Sequence, residues 1–522
     1  MKRIFALMLA LVMVLALSVT AFAEEKYTIT INNPEPGHTY QAYQIFAGDL
    51  ETVDGNTVLT NITWGNGVIT ANVQATFKDA AAQAATLTTE LKARDFAAFL
   101  AAPQFDYLTN PSESTAGAGT YTIANLEPGY YLIKDKDDTL AGTDAFYTLY
   151  MMKVVGNVNA APKGGKPTLD KQIKHNETGQ WGVVGDHQIG DTVEFRTITT
   201  IHHLDGFGNH DRPGLYTYVI HDVMSDGVTS NVKNKSDVTI KVNDNKVLPE
   251  EFYTVTPDGN GFRLQIDINS VLMYYAPEVN TGDTLYTYYS GVLNADAKVY
   301  DQGKQDNVAY LEWSNNVYNQ QPETGKSAEK KVYVWTFKMG INKVNANGDP
   351  LTGAKFALSK SGTLQVADMN CTAEGVPTVT TGLIGMVKLS EGQYRVAVDG
   401  DTNVVYVVDA GTPVIQGLDD AIDYYLYETK APAGHNLLSA PVHFKISADY
   451  NEDGSNYTSV TVTVGEEAAS NALSASIVNK SGATLPETGG IGTTIFYVLG
   501  SLLVVGAGVV LITRKRMGKS EN

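Results

Sequence analysis

Three observations predict a mainly β fold of three tandem immunoglobulin-like β-sandwich domains. Short segments of alternating polar and apolar residues recur along most of the chain, separated by Asn, Gly, Asp and Pro turns. The 522 residues fit about three domains at roughly 150 residues each. Residues that favour strands and turns are plentiful, with 29 Tyr and 48 Gly.

The composition also excludes some functions. A net charge of -19 argues against nucleic acid as a partner, because phosphate binding needs clustered Lys and Arg. Cys371 is the only cysteine, so no intramolecular disulfide can form. It reads as a small apolar residue, not a nucleophile. An exported chain of thin modules needs covalent support from another source.

Both ends carry addresses. Residues 1–23 read as a signal peptide: Lys2 and Arg3, a short apolar run, then Ala21-Phe22-Ala23. At the other end, Leu485-Pro486-Glu487-Thr488-Gly489 lies within 482–490, ahead of an apolar run over 491–513 long enough to span a bilayer. Arg514, Lys515 and Arg516 begin a basic tail, 514–522, held on the cytoplasmic side. In this order the pentapeptide resembles a sortase sorting signal of Gram-positive wall-anchored proteins. Pro322-Glu323-Thr324-Gly325 repeats most of it, but Gln321 replaces the leucine and no apolar run follows, so it reads as linker.

The first module spans 24–163. Tyr27, Ile29 and Ile31 alternate with polar residues, as in a strand. One helix is predicted between Ala75 and Ala102, where Gly and Pro are absent, and strands return near Thr120 and Gly129. The second module spans 164–325 and the third 326–481, both strings of short strands.

Strand parity exposes unusual inward positions. In the third module, Phe337, Met339 and Ile341 share a face with Lys343. Tyr424 and Leu426 share one with Glu428, and Leu473, Ala475 and Ile477 share one with Asn479. A buried lysine, carboxyl and amide are each costly alone. Together they are reactive. Burial favours a neutral amine and a protonated acid, so the amine can attack the Asn side-chain carbonyl while the acid moves protons. Ammonia leaves, and an amide joins the module's first and last strands. The second module repeats the parity with Lys171, Asp222 and Asn315; the neighbouring Asn316 has the wrong parity. In the first module Lys26 lies on the polar face, so no such bond is expected there.

Lys343 opens Lys-Val-Asn-Ala-Asn-Gly-Asp-Pro-Leu-Thr-Gly-Ala-Lys-Phe, followed by Tyr427-Glu428-Thr429-Lys430-Ala431-Pro432-Ala433-Gly434 and Ile477-Val478-Asn479-Lys480. The third module thereby resembles the collagen-adhesin B-type (Cna-B) domain, whose Lys, Glu and Asn form an intramolecular isopeptide bond. Ile189-Gly190-Asp191-Thr192-Val193-Glu194-Phe195 and Trp313-Ser314-Asn315-Asn316 look like the middle domain of major pilins, with Asp222 where many such domains have Glu. Asn125-Leu126-Glu127-Pro128-Gly129-Tyr130-Tyr131 looks like their N-terminal domain. In this family the acceptor lysine sits in a Val-x-Val-Tyr-Pro-Lys type motif between the first two domains. The junction here reads Val158-Asn159-Ala160-Ala161-Pro162-Lys163, with Ala160 and Ala161 in place of valine and tyrosine, and Lys166 is a competitor.

The resemblance implies a major pilus backbone subunit, secreted and anchored to the cell wall. A pilus-type sortase, with a housekeeping sortase for wall attachment, would join Thr488 of one subunit to Lys163 of the next. Further partners would be identical subunits in a covalent head-to-tail fibre, minor and tip pilins, and peptidoglycan; no residue names a host ligand. The chain would be a sortase substrate and not an enzyme, apart from forming its own internal bonds. The competing expectation is a wall-anchored adhesin or minor pilin that does not polymerise. No cofactor or metal site is expected. His202, His203, Asp205, His210 and Asp211 match no ligand spacing. Asp449, Asn451, Asp453 and Gly454 lack the terminal Glu of a calcium loop, with Val460 in its place, and read as a hairpin turn.

Overall fold

The computed structural model describes residues 26–102, 104–140, 143–162, 166–202, 216–275, 278–316, 323–409, 411–481 and 491–517. The expected signal peptide, Lys163, the Leu485–Gly489 pentapeptide and His203, Asp205, His210 and Asp211 therefore lie outside the described residues.

In the first unit, Tyr27–Asn32 lies between the antiparallel strand Thr120–Leu126 and the parallel strand Val158–Ala160. Tyr40–Val53 lies between Asn56–Trp64 and Gly129–Asp135 in a second sheet. Ile29, Ile31, Tyr40, Ala42, Tyr121 and Ile133 fill the space between the sheets. Alternation sends Tyr43 and Ile45 to the other face of Tyr40–Val53, where they meet Val73, Phe96 and Leu100 of the helical layer.

That layer corrects the expectation of one helix. Thr70–Phe77, Ala80–Thr86 and Glu90–Ala101 are separate helices. Lys78 breaks the run at φ 58, and Asp79 caps the next helix by accepting from the Ala82 amide. Thr89 does the same for the third, accepting from Lys92. The apolar spacing continues through these caps, which is why it reads as one helix.

The second unit is a sandwich of two sheets. One runs, in order, Trp181–Gly182, Leu169–Lys174, Thr192–Thr200, Thr284–Leu293, Thr239–Val242 and Lys246–Val247. The other runs Val184–Asp186, Lys330–Trp335, Gln305–Asn316, Thr217–Met224, Gly261–Asp267 and Tyr253–Asp258. The second sheet extends past the expected boundary at residue 325, because Lys330–Trp335 bonds to Gln305–Asn316 and Val184–Asp186. A helix, Ile268–Tyr274, interrupts the expected string of strands; Asp267 caps it, and Ile268 and Val271 are buried.

The third unit starts at Phe337–Val344, which lies between Val414–Leu418 and a parallel Ser474–Val478. The facing sheet centres on Asp423–Lys430 and Val442–Tyr450. Val442–Tyr450 turns into Tyr457–Val464 through the loop that imitates a calcium site, closed by the Asn451 amide on the Asn456 carbonyl. Cys371 is half-buried against the Met369 and Tyr427 cluster, and burial raises its thiol pKa. Buried side chains run continuously from the second unit into the third through Trp335 and Phe337.

Ile491–Met517 is one helix ending in Arg514, Lys515 and Arg516. Its 22-residue stretch Ile495–Arg516 is long and apolar enough to cross a membrane, and its most apolar 18 residues bury nothing against the rest of the chain. At roughly 1.5 Å per residue it matches the roughly 30 Å hydrocarbon core of a bilayer.

Candidate functional site

The third unit brings Lys343, Glu428 and Asn479 together. Lys343 stands opposite Ile477 in the parallel pair, and the Asn479 amide donates to the Val344 carbonyl at 3.0 Å, continuing the register. Both side chains therefore enter the core at the same end of adjacent strands. Glu428 enters from the facing sheet. The three residues are 1%, 2% and 1% exposed.

Lys343 Nζ lies against Asn479 Oδ1 and donates to the Ile477 carbonyl at 2.8 Å. Asn479 Nδ2 donates to Glu428 Oε2 at 3.0 Å and to the Asn436 carbonyl at 2.8 Å. The Leu438 amide also holds Oε2, at 2.9 Å. Glu428 Oε1 has no hydrogen-bond partner among the described residues and lies 3.8 Å from Lys343 Nζ. One carboxyl thus faces the amine with one oxygen and the amide nitrogen with the other. Burial lowers the Lys343 pKa, opposed by the nearby Glu428 charge.

In the second unit the amine of Lys171 touches Asp222 Oδ2 and the Tyr289 hydroxyl. That hydroxyl donates to Asp222 Oδ2 at 2.5 Å. Lys171 and Asp222 are each 1% exposed, and the Phe195 and Tyr289 rings wall the amine at 5.7 and 5.1 Å from their centroids. Burial lowers the Lys171 pKa, again opposed by its acid. Burial first, then the Asp222 charge, holds Tyr289 well above the usual phenol range.

Asn315 is not part of this group, a correction to the expected set. Its Nδ2 points to the carbonyls of Leu140 and Ala145 at 3.5 and 3.3 Å, at the contact with the first unit. The residue at the correct end of the strand is Asn307. It has the same parity, pairs with Met224 two places from Asp222, and is fully buried. It lies within reach of the Tyr289 hydroxyl and favours its ionisation, but neither of its amide atoms makes a well-formed hydrogen bond among the described residues. Asn315 is eight positions further on, roughly 26 Å along the strand at about 3.3 Å per residue. Parity identifies the inward face but not the position along it. The period-2 pattern does extend back to Asn307, and that was the available signal; the register with Thr217–Met224 makes the choice. No sequence signal marks Tyr289.

Lys166, the competitor at the first junction, is paired. Its Nζ donates to Asp144 at 2.6 Å and Glu35 at 3.5 Å, and the Asp144 hydrogen bond raises its pKa.

Residues 477–517 match the family model of the LPXTG cell wall anchor motif. With the apolar helix that the match includes, this makes the chain a cell wall-anchored surface protein with transient membrane retention. It is 39% identical over 95 residues to the fimbrial subunit type 1 of Actinomyces viscosus, covering 18% of this chain and 15% of that relative. The chain thus matches well under a fifth of the length of that curated relative. Among solved structures, it is similar to the T6 backbone pilin of Streptococcus pyogenes at TM-score 0.49 and 15% identity, covering 89% of this chain and all of that one. SpaD, a major pilin of Corynebacterium diphtheriae, gives TM-score 0.42 and 17% identity over 89% of this chain and 99% of its own.

Proposed function

We propose that this chain is the backbone subunit of a sortase-assembled pilus. The observation that carries the reading is the buried Lys343, Glu428 and Asn479 group, which would lock the first strand of a module to its last, on a chain that ends in a wall-anchor motif. A pulled fibre needs such a cross-link, and Cys371 alone cannot supply a disulfide.

The neutral Lys343 amine attacks the Asn479 side-chain carbon, and Glu428 takes the amine proton through the oxygen facing it. The same carboxyl returns a proton to the amide nitrogen through the oxygen already bonded to it. The C–N bond of the carboxamide breaks, ammonia leaves, and the Lys–Asn amide remains. In the second unit Lys171 would attack Asn307, with Asp222 as the proton carrier and Tyr289 holding its second contact.

Polymerisation would use the pentapeptide and Lys163. A sortase cysteine cleaves Thr488–Gly489, and Lys163 of the next subunit resolves the acyl-enzyme. The resulting contact is head-to-tail and does not close, so a fibre grows. The Lys166 ion pairs favour Lys163 as the acceptor. The test is an immunoblot of detergent-boiled wall extracts. Wild type should give a high-mass ladder, and Lys163→Ala a single band. A single band from wild type would favour a non-polymerising adhesin or minor pilin.

A further inference from the structure

Glu177, Asp186, Asp419 and Asp420 meet where the second and third units touch, and each offers a carboxylate oxygen within 4.8 Å of all the others. Glu177 sits in the turn after Leu169–Lys174, and Asp186 ends Val184–Asp186. Asp419 and Asp420 form the turn between Val414–Leu418 and Asp423–Lys430. Asp186, Asp419 and Asp420 are 2%, 0% and 7% exposed.

Donors from both units fix one oxygen of each buried carboxyl. The Tyr450 hydroxyl donates to Asp186 Oδ2 at 3.0 Å, Asn176 Nδ2 to Asp419 Oδ2 at 2.6 Å, and the Ala448 amide to Asp420 Oδ2 at 3.0 Å. Asp186 Oδ1 and Asp419 Oδ1 are buried and accept from no donor among the described residues, and Asp186 lies within hydrogen-bond reach of both Asp419 and Asp420. No Lys, Arg or His forms an ion pair with any of the four among the described residues. Lys360 and Lys445 act on Glu177 only from a distance.

We infer that these four carboxylates bind one calcium ion, which clamps the second unit to the third. The donor set is all oxygen, which selects a hard cation over zinc or copper. Two oxygens bound to one calcium at about 2.4 Å can be no more than about 4.8 Å apart, which is the span of the cluster. Magnesium needs a tighter octahedron and gives up its water reluctantly, so it fits less well. The ends of the clamp are more than 230 residues apart in sequence, like the Asn176–Asp419 hydrogen bond. The proposal is independent of polymerisation.

The test uses the full chain in detergent, stripped with a chelator and titrated with Ca²⁺ by calorimetry. Tb³⁺ is a second probe, with emission sensitised by Tyr450 and Trp335, whose rings lie 6.1 Å apart. The expected result is saturable one-to-one uptake and a melting temperature raised by Ca²⁺. Asp186→Asn and Asp419→Asn should each weaken uptake at least tenfold while keeping the far-UV circular dichroism of wild type. Uptake equal to wild type in both variants would overturn the site. So would no uptake by wild type with melting unchanged by chelator. A third overturning result is Asp419→Asn melting higher than wild type with Ca²⁺ inert, since the cluster would then be only a proton-sharing group.

Discussion

Lys343 and Asn479 are 136 residues apart in sequence, yet their side chains meet at the same end of two adjacent parallel strands. An amide between them would close nearly the whole third unit into a ring. Force applied along the chain would then pass through that bond, leaving the rest of the sandwich unloaded.

Intact-mass measurement of the secreted chain should show two losses of about 17 Da, one ammonia per bond. Lys343→Ala should regain one loss and Lys171→Ala the other. Asn307→Ala should also regain one, while Asn315→Ala should keep both. If Asn315→Ala regains mass and Asn307→Ala does not, the second assignment is wrong.

Glu428→Gln keeps the size of the side chain but cannot carry the protons, so the third unit should fold without its bond. For a loop of 136 residues, a cross-link treated like a disulfide contributes about 5 kcal/mol by the loop-entropy model. The variant should melt well below wild type and be cut by protease within the third unit. Equal melting would show that the bond adds no stability.

The Asn479→Ala variant leaves Lys343 unreacted, and its sign of pH dependence is fixed. Burial depresses the folded pKa of Lys343, so the folded state binds fewer protons than the unfolded state between that pKa and about 10.4. Stability should therefore rise with pH through this window and level off below the folded pKa. Adding Lys343→Met should remove the slope. In wild type the amine is consumed, so it should contribute no slope; an equal slope in both would count against the bond.

Gly261 lies against the acid of the second unit. A Cβ there would sit 1.9 Å from the Asp222 carbonyl oxygen, too close for any side chain. Gly261→Ala should push the Asp222 strand away, at a cost of about 1–3 kcal/mol. The second mass loss should become incomplete. A complete loss at the wild-type rate would mean the strand can shift without disturbing the reaction.

Lys166→Ala removes ion pairs to Asp144 and Glu35 that are 40–49% exposed. Such pairs contribute about 0.5 kcal/mol or less. Melting should barely change and the pilus ladder should persist, in contrast to Lys163→Ala. Loss of the ladder here would make Lys166 the acceptor.

The sequence by itself determined whatever depends on neighbours along the chain. Alternation set the strands and marked Lys343, Glu428, Asn479, Lys171 and Asp222 as inward polar residues, because strand parity is a local rule. The order of pentapeptide, apolar run and basic tail set the anchor. Tertiary structure decided what depends on pairing between distant strands. Register chose Asn307 over Asn315, since both share one face of Gln305–Asn316 and only the partner strand distinguishes their ends. Side-chain caps at Asp79 and Thr89 cut one apolar run into separate helices. The Glu177, Asp186, Asp419 and Asp420 cluster arises only when two modules dock, because docking alone brings together carboxylates from three separate turns and strand ends.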